Sequence, residues 1–292
     1  MTTVGPGCAI DEAACGSAST CLPMKPIAGS STVLDFRMRR LNLLAPPSMT
    51  YAVNPTLQTA IVDTATTLKA KQCGQLGKGT FTWLLRVDLA ARTLKTGSAP
   101  PSSDPFGVGS CFDTQLFGTS DLRPATVALQ GTAARLQSAP IPKLNVAIFL
   151  DATGSSAVVL PLSSVTIQGM ALSPDGSCVG TFDRVGLDRA CTESHSDCPA
   201  WHPAAAIGGY ITLEDADAIF IKELNQSLCV LLTQSAPLTK CVRDATGKIA
   251  QRGDYCSSPG GAGGCQDSYW FAATFAASAA VIDPTNADPR CN

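Results

Sequence analysis

The alternation within Ile141–Leu150 constrains this chain more than any other stretch. Leu144, Val146, Ile148 and Leu150 fall on even positions with Lys143 and Asn145 between them, the period of a half-buried strand. A polar turn, Asp151-Ala152-Thr153-Gly154-Ser155-Ser156, leads into a second apolar run from Ala157. Pro174-Asp175-Gly176 leads into a third through Cys178, Val179, Thr181 and Phe182. Ile141–Arg184 therefore reads as three consecutive strands joined by short turns. Pro161 cannot donate to a ladder, so it predicts an edge or a break in the second strand. Past Gly169 the apolar parity moves to Met170 and Leu172, as a bulge at Gly169 would make it.

The remaining periodic segments are fewer. Val33 to Leu44 fits a first strand interleaved with Arg37, Arg39 and Arg40, ended by Ala45-Pro46-Pro47. Asn54-Pro55 is an N-cap and first-turn pair, and Leu57, Ile61, Ala65 and Leu68 then recur at helical spacing, with Gly74 to close the helix. Phe81 to Leu94 reads as strand, turn and strand, whereas Val127 to Leu136 fits no single pattern. The strongest helical signal follows Thr212. Thr212 and Asp215 resemble a capping box, Glu214, Asp215 and Asp217 crowd the first turn, and Leu213, Ala216, Phe220, Leu224, Leu228 and Leu231 share one face. Tyr269 to Ile282 fits strand and helix equally. The expected fold is mainly β: an antiparallel sheet or sandwich with one long and one shorter packed helix, stabilised by disulfides. It occupies residues 31–292 as a single domain, after a loop-rich N-terminal arm over residues 1–30.

Thirteen cysteines, many in Gly/Ser/Pro loops and without the repeated CxxC pairs of zinc ribbons, point to an oxidising compartment. Spacing favours local bridges such as Cys191 with Cys198, Cys229 with Cys241 and Cys256 with Cys265. The odd count leaves at least one thiol free, modified or paired with another chain. Met1 to Cys8 carries neither the basic nor the apolar region of a signal peptide, so an exporting segment is expected upstream. No apolar stretch reaches the roughly 18 residues of a transmembrane segment. A net charge of −2, with no basic run longer than Arg39-Arg40, argues against nucleic acid and anionic membrane as partners.

Chemistry has few places to sit. The chain's 2 histidines lie in Cys191-Thr192-Glu193-Ser194-His195-Ser196-Asp197-Cys198-Pro199-Ala200-Trp201-His202. Cys191, His195, Cys198 and His202 together offer four donors of the kind tetrahedral zinc accepts, and zinc is the one cofactor the sequence proposes. The compartment argument favours instead a Cys191/Cys198 disulfide loop with two exposed histidines and no cofactor, with zinc as the alternative. No G-x-S-x-G is present, so a serine hydrolase has no support. Asp88, Asp151, Asp183 and Asp188 fall near strand ends, where they serve as turn formers or as a carboxylate pair for glycoside hydrolysis; turn statistics favour the first. The Gly260 region lacks the following Lys-Ser/Thr of a phosphate loop.

Thr82 to Asp88, Asn145 to Asp151 leading into Val158 to Leu162, and Ser227 to Leu232 resemble segments of cysteine-rich exported or envelope proteins of unknown function from myxobacteria and related Gram-negative bacteria. The resemblance implies an extracellular or cell-envelope location and carries no activity. The expected function is that of an exported, non-catalytic structural or binding protein of the cell surface or extracellular space, with a surface partner or self-association. Its variants are a self-assembling subunit of an extracellular filament or layer, and an exported metal-dependent hydrolase built around His195 and His202.

Overall fold

The computed structural model describes residues 31–70, 75–105, 108–182, 201–258, 265–283, 285 and 288–291, so the arm over residues 1–30 lies outside the described residues. Strand β1 (Val33–Ala45) sends Leu34, Phe36 and Met38 into the core, then Leu41 and Leu43. Its parity inverts because the register against its neighbour shifts between Met38 and Arg40, and this bulge turns both Arg39 and Arg40 away from the core. Helix α1 winds Leu57–Asp63 as a π-helix and Thr64–Thr66 as a last α turn. The Asn54 side chain accepts from the Leu57 amide at 3.1 Å, the cap its sequence predicts. The helix stops before Gly74: Thr67 turns extended and Lys69–Ala70 is a short strand. Threonines at 64, 66 and 67 are poor propagators.

The hairpin expected over Phe81–Leu94 forms as β2 (Thr82–Asp88) and β3 (Thr93–Ala99). Val127–Leu136 resolves into a second hairpin, β4 (Ala125–Thr132) and β5 (Arg135–Ser138). Next come β6 (Ile141–Phe149), β7 (Ala157–Gln168), the short β8 (Cys178–Val179), β9 (Ala205–Thr212), helices α2 (Leu213–Ala218) and α3 (Leu228–Thr233), and β10 (Ser268–Ala279). These ten strands make one antiparallel sheet in the order β6-β7-β9-β10-β1-β2-β3-β4-β5, with β8 added beside β10. The sheet curls until its ends meet: Leu136 of β5 and Met170, just past β7, exchange backbone hydrogen bonds of 2.9 and 3.0 Å. One apolar core fills the concave side, drawing on every long strand and on Leu57, Val62, Leu228 and Leu232 of the helices. Leu144, Val146 and Ile148 lie in it as their alternation predicts, while Ala147 and Phe149 are buried on the other face beside Leu122 and Phe117.

The expected antiparallel sheet is present as one curled ten-stranded sheet, and a sandwich is not shown among the described strands. Three other expectations are corrected. The stretch Ile141–Arg184 is not a three-strand meander. β6 and β7 pair from Ile141↔Val165 to Phe149↔Ala157, but the neighbour on the far side of β7 is β9. Residues 178–179 cross to β10, and Thr181–Phe182 pairs with Trp201–His202. Gly180 makes that exit: its φ is +85°, and a side chain there would collide with the His202 carbonyl. Pro161 does not break β7. It faces Asn145 on one side, and the pairing of β7 with β9 runs from Ser163 onward, so no amide is wanted where proline has none.

The third correction concerns the long helix. Thr212 does cap α2, accepting from the Asp215 amide at 3.0 Å, but α2 ends at Ala218. A hairpin of Phe220–Ile221 with Gln226–Ser227 interrupts it before α3. Ile219, Phe220 and Ile221 prefer extended backbone, Asn225 turns left-handed at φ 50°, and Ser227 caps α3 through the Val230 amide. Buried Asp217 holds the unit together, accepting from the Ser227 hydroxyl (2.9 Å), the Cys241 amide (2.9 Å) and Arg243 Nη2 (3.3 Å). Asp217→Ala strands the buried Ser227 and Cys241 donors and is expected to cost about 3 kcal/mol in urea unfolding. An unchanged midpoint would show that these bonds are replaced by water. Among the described residues, no helix is long and apolar enough to cross a membrane.

Candidate functional site

The strand-end aspartates are turn formers where they are described. Asp88 accepts from the amides of Ala90 (2.9 Å) and Ala91 (2.7 Å). Asp151 accepts from the amides of Thr153 (2.8 Å), Ser155 (3.1 Å) and Ser156 (2.7 Å), and from both intervening hydroxyls. The same four-residue sequence, Asp-Ala-Thr-Gly, recurs at Asp244, which accepts from the Thr246 amide and hydroxyl and the Lys248 amide. Asp183 and Asp188 lie outside the described residues. The Thr153 hydroxyl, then the Ser155 amide, hold the Asp151 carboxyl well below the usual carboxylate range; hydrogen bonds from Thr246 lower Asp244, and those from Thr285 lower Asp283.

A depressed folded pKa means that these turns hold fully above the ordinary aspartate value of about 3.9 and are lost as pH falls below it. The amide resonances of Ser156 and Lys248 are therefore expected to titrate with midpoints below about 3.9. Midpoints at or above that value would contradict the turn role. Glycoside hydrolysis by two carboxylates needs one acid held up beside one held down. Among the described aspartates with a displaced pKa, only Asp113 is raised, by burial. It is buried, receives the Gln115 amide at 3.1 Å and feels the neighbouring Asp288, which its pairing with Arg290 holds down, so the one raised-and-lowered pair among the described residues lies here and not among the strand-end aspartates.

Of the proposed zinc ligands, Cys191, His195 and Cys198 lie outside the described residues. His202 is exposed on its two-residue strand, next to Trp201, which is buried under Arg39 with the guanidinium 4.9 Å from the ring centre. Two other clusters bring ligand atoms within 4.8 Å of one another: Asp217 with Cys229 and Cys241, and Asp267 with Cys256 and Cys265. In each, both sulfurs are spent on a disulfide and offer no thiolate. These are two of the local bridges that spacing predicts. The third described bridge, Cys111–Cys291, spans 180 residues and has no spacing signal. All of the described cysteines, Cys178 included, are disulfide-bonded, so the odd thiol is not among them.

Two features among the described residues bear on recognition. One is an apolar cavity of about 40 Å³ at the end of the curled sheet, lined by Leu41 and Leu43 of β1, Leu57 and Val62 of α1, and Leu228 and Leu231 of α3. It is scarcely larger than a water molecule's share of liquid, about 30 Å³; larger open clefts of about 460 and 350 Å³ lie against Leu172 and Asp175 and against Pro101 and Arg290. The other is a row of aromatic rings on the convex face. Tyr210 of β9 and Trp270 of β10 are register partners, and Tyr255 lies between their rings with centroid distances of 5.3 and 5.2 Å. Strand parity places Tyr210 and Trp270 outward, but nothing in the sequence pairs them with each other or with Tyr255. No protein-family model, curated protein or solved structure matches this chain.

Proposed function

We propose that the chain is an exported, non-catalytic binding or structural domain of the cell surface or extracellular space. The observation that carries this reading is the state of its cysteines. Every described one is bridged, as suits an oxidising compartment, and the bridges close loops of 9, 12 and 180 residues' separation. The resemblance of Thr82–Asp88, Asn145–Asp151 and Ser227–Leu232 to envelope proteins of Gram-negative bacteria agrees with it. So does the use of the described strand-end aspartates, Asp88 and Asp151, as turn makers.

Non-reducing peptide mapping of the protein recovered from its native cells tests this directly. The Cys111–Cys291, Cys229–Cys241 and Cys256–Cys265 peptides are expected linked, in the envelope or extracellular fraction. Free thiols at these positions in a cytosolic fraction would sink the proposal. The self-assembling variant rests on the odd cysteine count, and a clean monomer in oxidising sedimentation runs removes it. The hydrolase variant rests on the zinc quartet, and native protein with no bound zinc removes that.

A further inference from the structure

We propose that the aromatic row on the convex face binds an uncharged polysaccharide; this rests on the reading of the chain as an exported binding domain. Trp270, near the start of β10, and Tyr255, on the loop before it, are 38% and 37% exposed, whereas Trp83 and Trp201 are 0% and 1% exposed. The row is held from below. Tyr255 and Ser268 exchange backbone hydrogen bonds of 2.9 and 3.1 Å, and the Trp270 amide donates to Asp254 Oδ1 at 2.8 Å. Gly208 lies under the indole: a Cβ there would come within 3.0 Å of Trp270 Cζ2, so the missing side chain is what lets the ring settle over β9. The three rings tilt successively by 31° and 48°, making one continuous apolar ridge with two phenol hydroxyls.

The chemistry around the ridge selects the partner. Directly paired residues share a sheet face, so the rows Ser163–Tyr210–Trp270, Thr166–Gly208–Ala272 and Gln168–Ala206–Thr274 lie side by side on it. None of these nine residues carries a formal charge; the first row ends at Lys143, the partner of Ser163 on β6, whose ammonium is engaged by Asp215 at 3.3 Å, and Arg252 and Asp254 lie on the loop beside the face. A polyanion finds no cationic row here, and an anionic membrane none either. What the face offers is aromatic surface for the C–H faces of sugar rings, with hydroxyl and amide groups of Thr166, Gln168, Tyr210 and Thr274 for sugar hydroxyls. An open face suits a chain of sugars rather than one small sugar.

The test uses the full oxidised chain in affinity electrophoresis through gels containing soluble cellulose derivative, β-1,3-glucan, starch or, as the anionic control, alginate. At least one neutral polymer is expected to retard the protein, with retardation reduced at least tenfold in Trp270→Ala and in Tyr255→Ala. Acrylamide quenching gives a second readout, because Trp270 is the exposed tryptophan among the three: the retarding polymer should protect it in the wild-type protein. Near-ultraviolet circular dichroism shows whether each variant keeps its fold, and protection of Trp270 in the wild type stands apart from either substitution. Retardation by alginate alone, by no polymer, or equally in both variants overturns the inference. Those outcomes leave the disulfide map and cell fractionation untouched, so the proposed function fails or survives separately.

Discussion

Replacing Cys111 and Cys291 together by alanine is expected to lower the unfolding free energy by about 5 kcal/mol, against about 3 kcal/mol for Cys229 and Cys241. The difference follows from the chain lengths enclosed, with sequence separations of 180 and 12 residues, because a longer loop surrenders more unfolded-state entropy when it is closed. The long bridge also seals a strap. Around it the C-terminal segment bonds to the loop after β3: the Thr114 amide to the Arg290 carbonyl at 3.0 Å, Gln115 Nε2 to the Pro289 carbonyl at 2.6 Å, and the Asp283 amide to the Ser110 carbonyl at 2.9 Å. Urea unfolding of the two double variants under oxidising conditions decides the matter. If the Cys111/Cys291 loss is no larger than the Cys229/Cys241 loss, loop entropy is not what this bridge contributes.

Arg37→Ala is expected to cost about 4 kcal/mol, from the loss of hydrogen bonds to a charged group at about 1.5–3 kcal/mol each. The guanidinium is fully enclosed on the convex side of β1. Its Nη1 donates to the carbonyls of Thr66 (2.9 Å) and Met38 (3.2 Å), and its Nη2 to that of Phe81 (3.1 Å). One side chain thus pins the end of α1 and the entry of β2 to the sheet. Burial, with Arg39 second, pushes its pKa down to about 9, so it remains cationic at neutral pH. Lysine cannot reproduce the planar fork, and Arg37→Lys should recover only part of the loss. Thermal or urea unfolding of both variants checks this, and an Arg37→Lys protein as stable as the wild type would show that charge alone matters.

How much of the molecule was legible tracks how local each signal is. Alternation placed Leu144, Val146 and Ile148 inside, Asn54 announced the start of α1, and the Asp88 and Asp151 turns followed from the residues beside them. Spacing anticipated Cys229–Cys241 and Cys256–Cys265 for the same reason: their loops are short. Tyr269–Ile282 was undecided because its alanines suit either period. It becomes β10 because β9 and β1 hydrogen-bond it on both edges, with Ala273, Ala276 and Ala277 buried beside Phe271 and Phe275. The Thr212–Leu231 helix was misread because a shared apolar face outweighed two local signals, the β-branched Ile219 and Ile221 and the second cap at Ser227.

The sequence by itself determined a β-rich, disulfide-bonded chain with its Phe81–Leu94 hairpin, its Asn54 and Thr212 caps and its Asp88 and Asp151 turns, because those depend on residues within one turn or one short loop of each other. Only the tertiary structure decided the strand order, the closure at Leu136 and Met170, the Cys111–Cys291 bridge, the enclosure of Arg37 and the meeting of Tyr210, Tyr255 and Trp270. Each of those joins segments far apart in the chain. Their energy exists only once the sheet has curled and brought the partners together, and no local pattern encodes it.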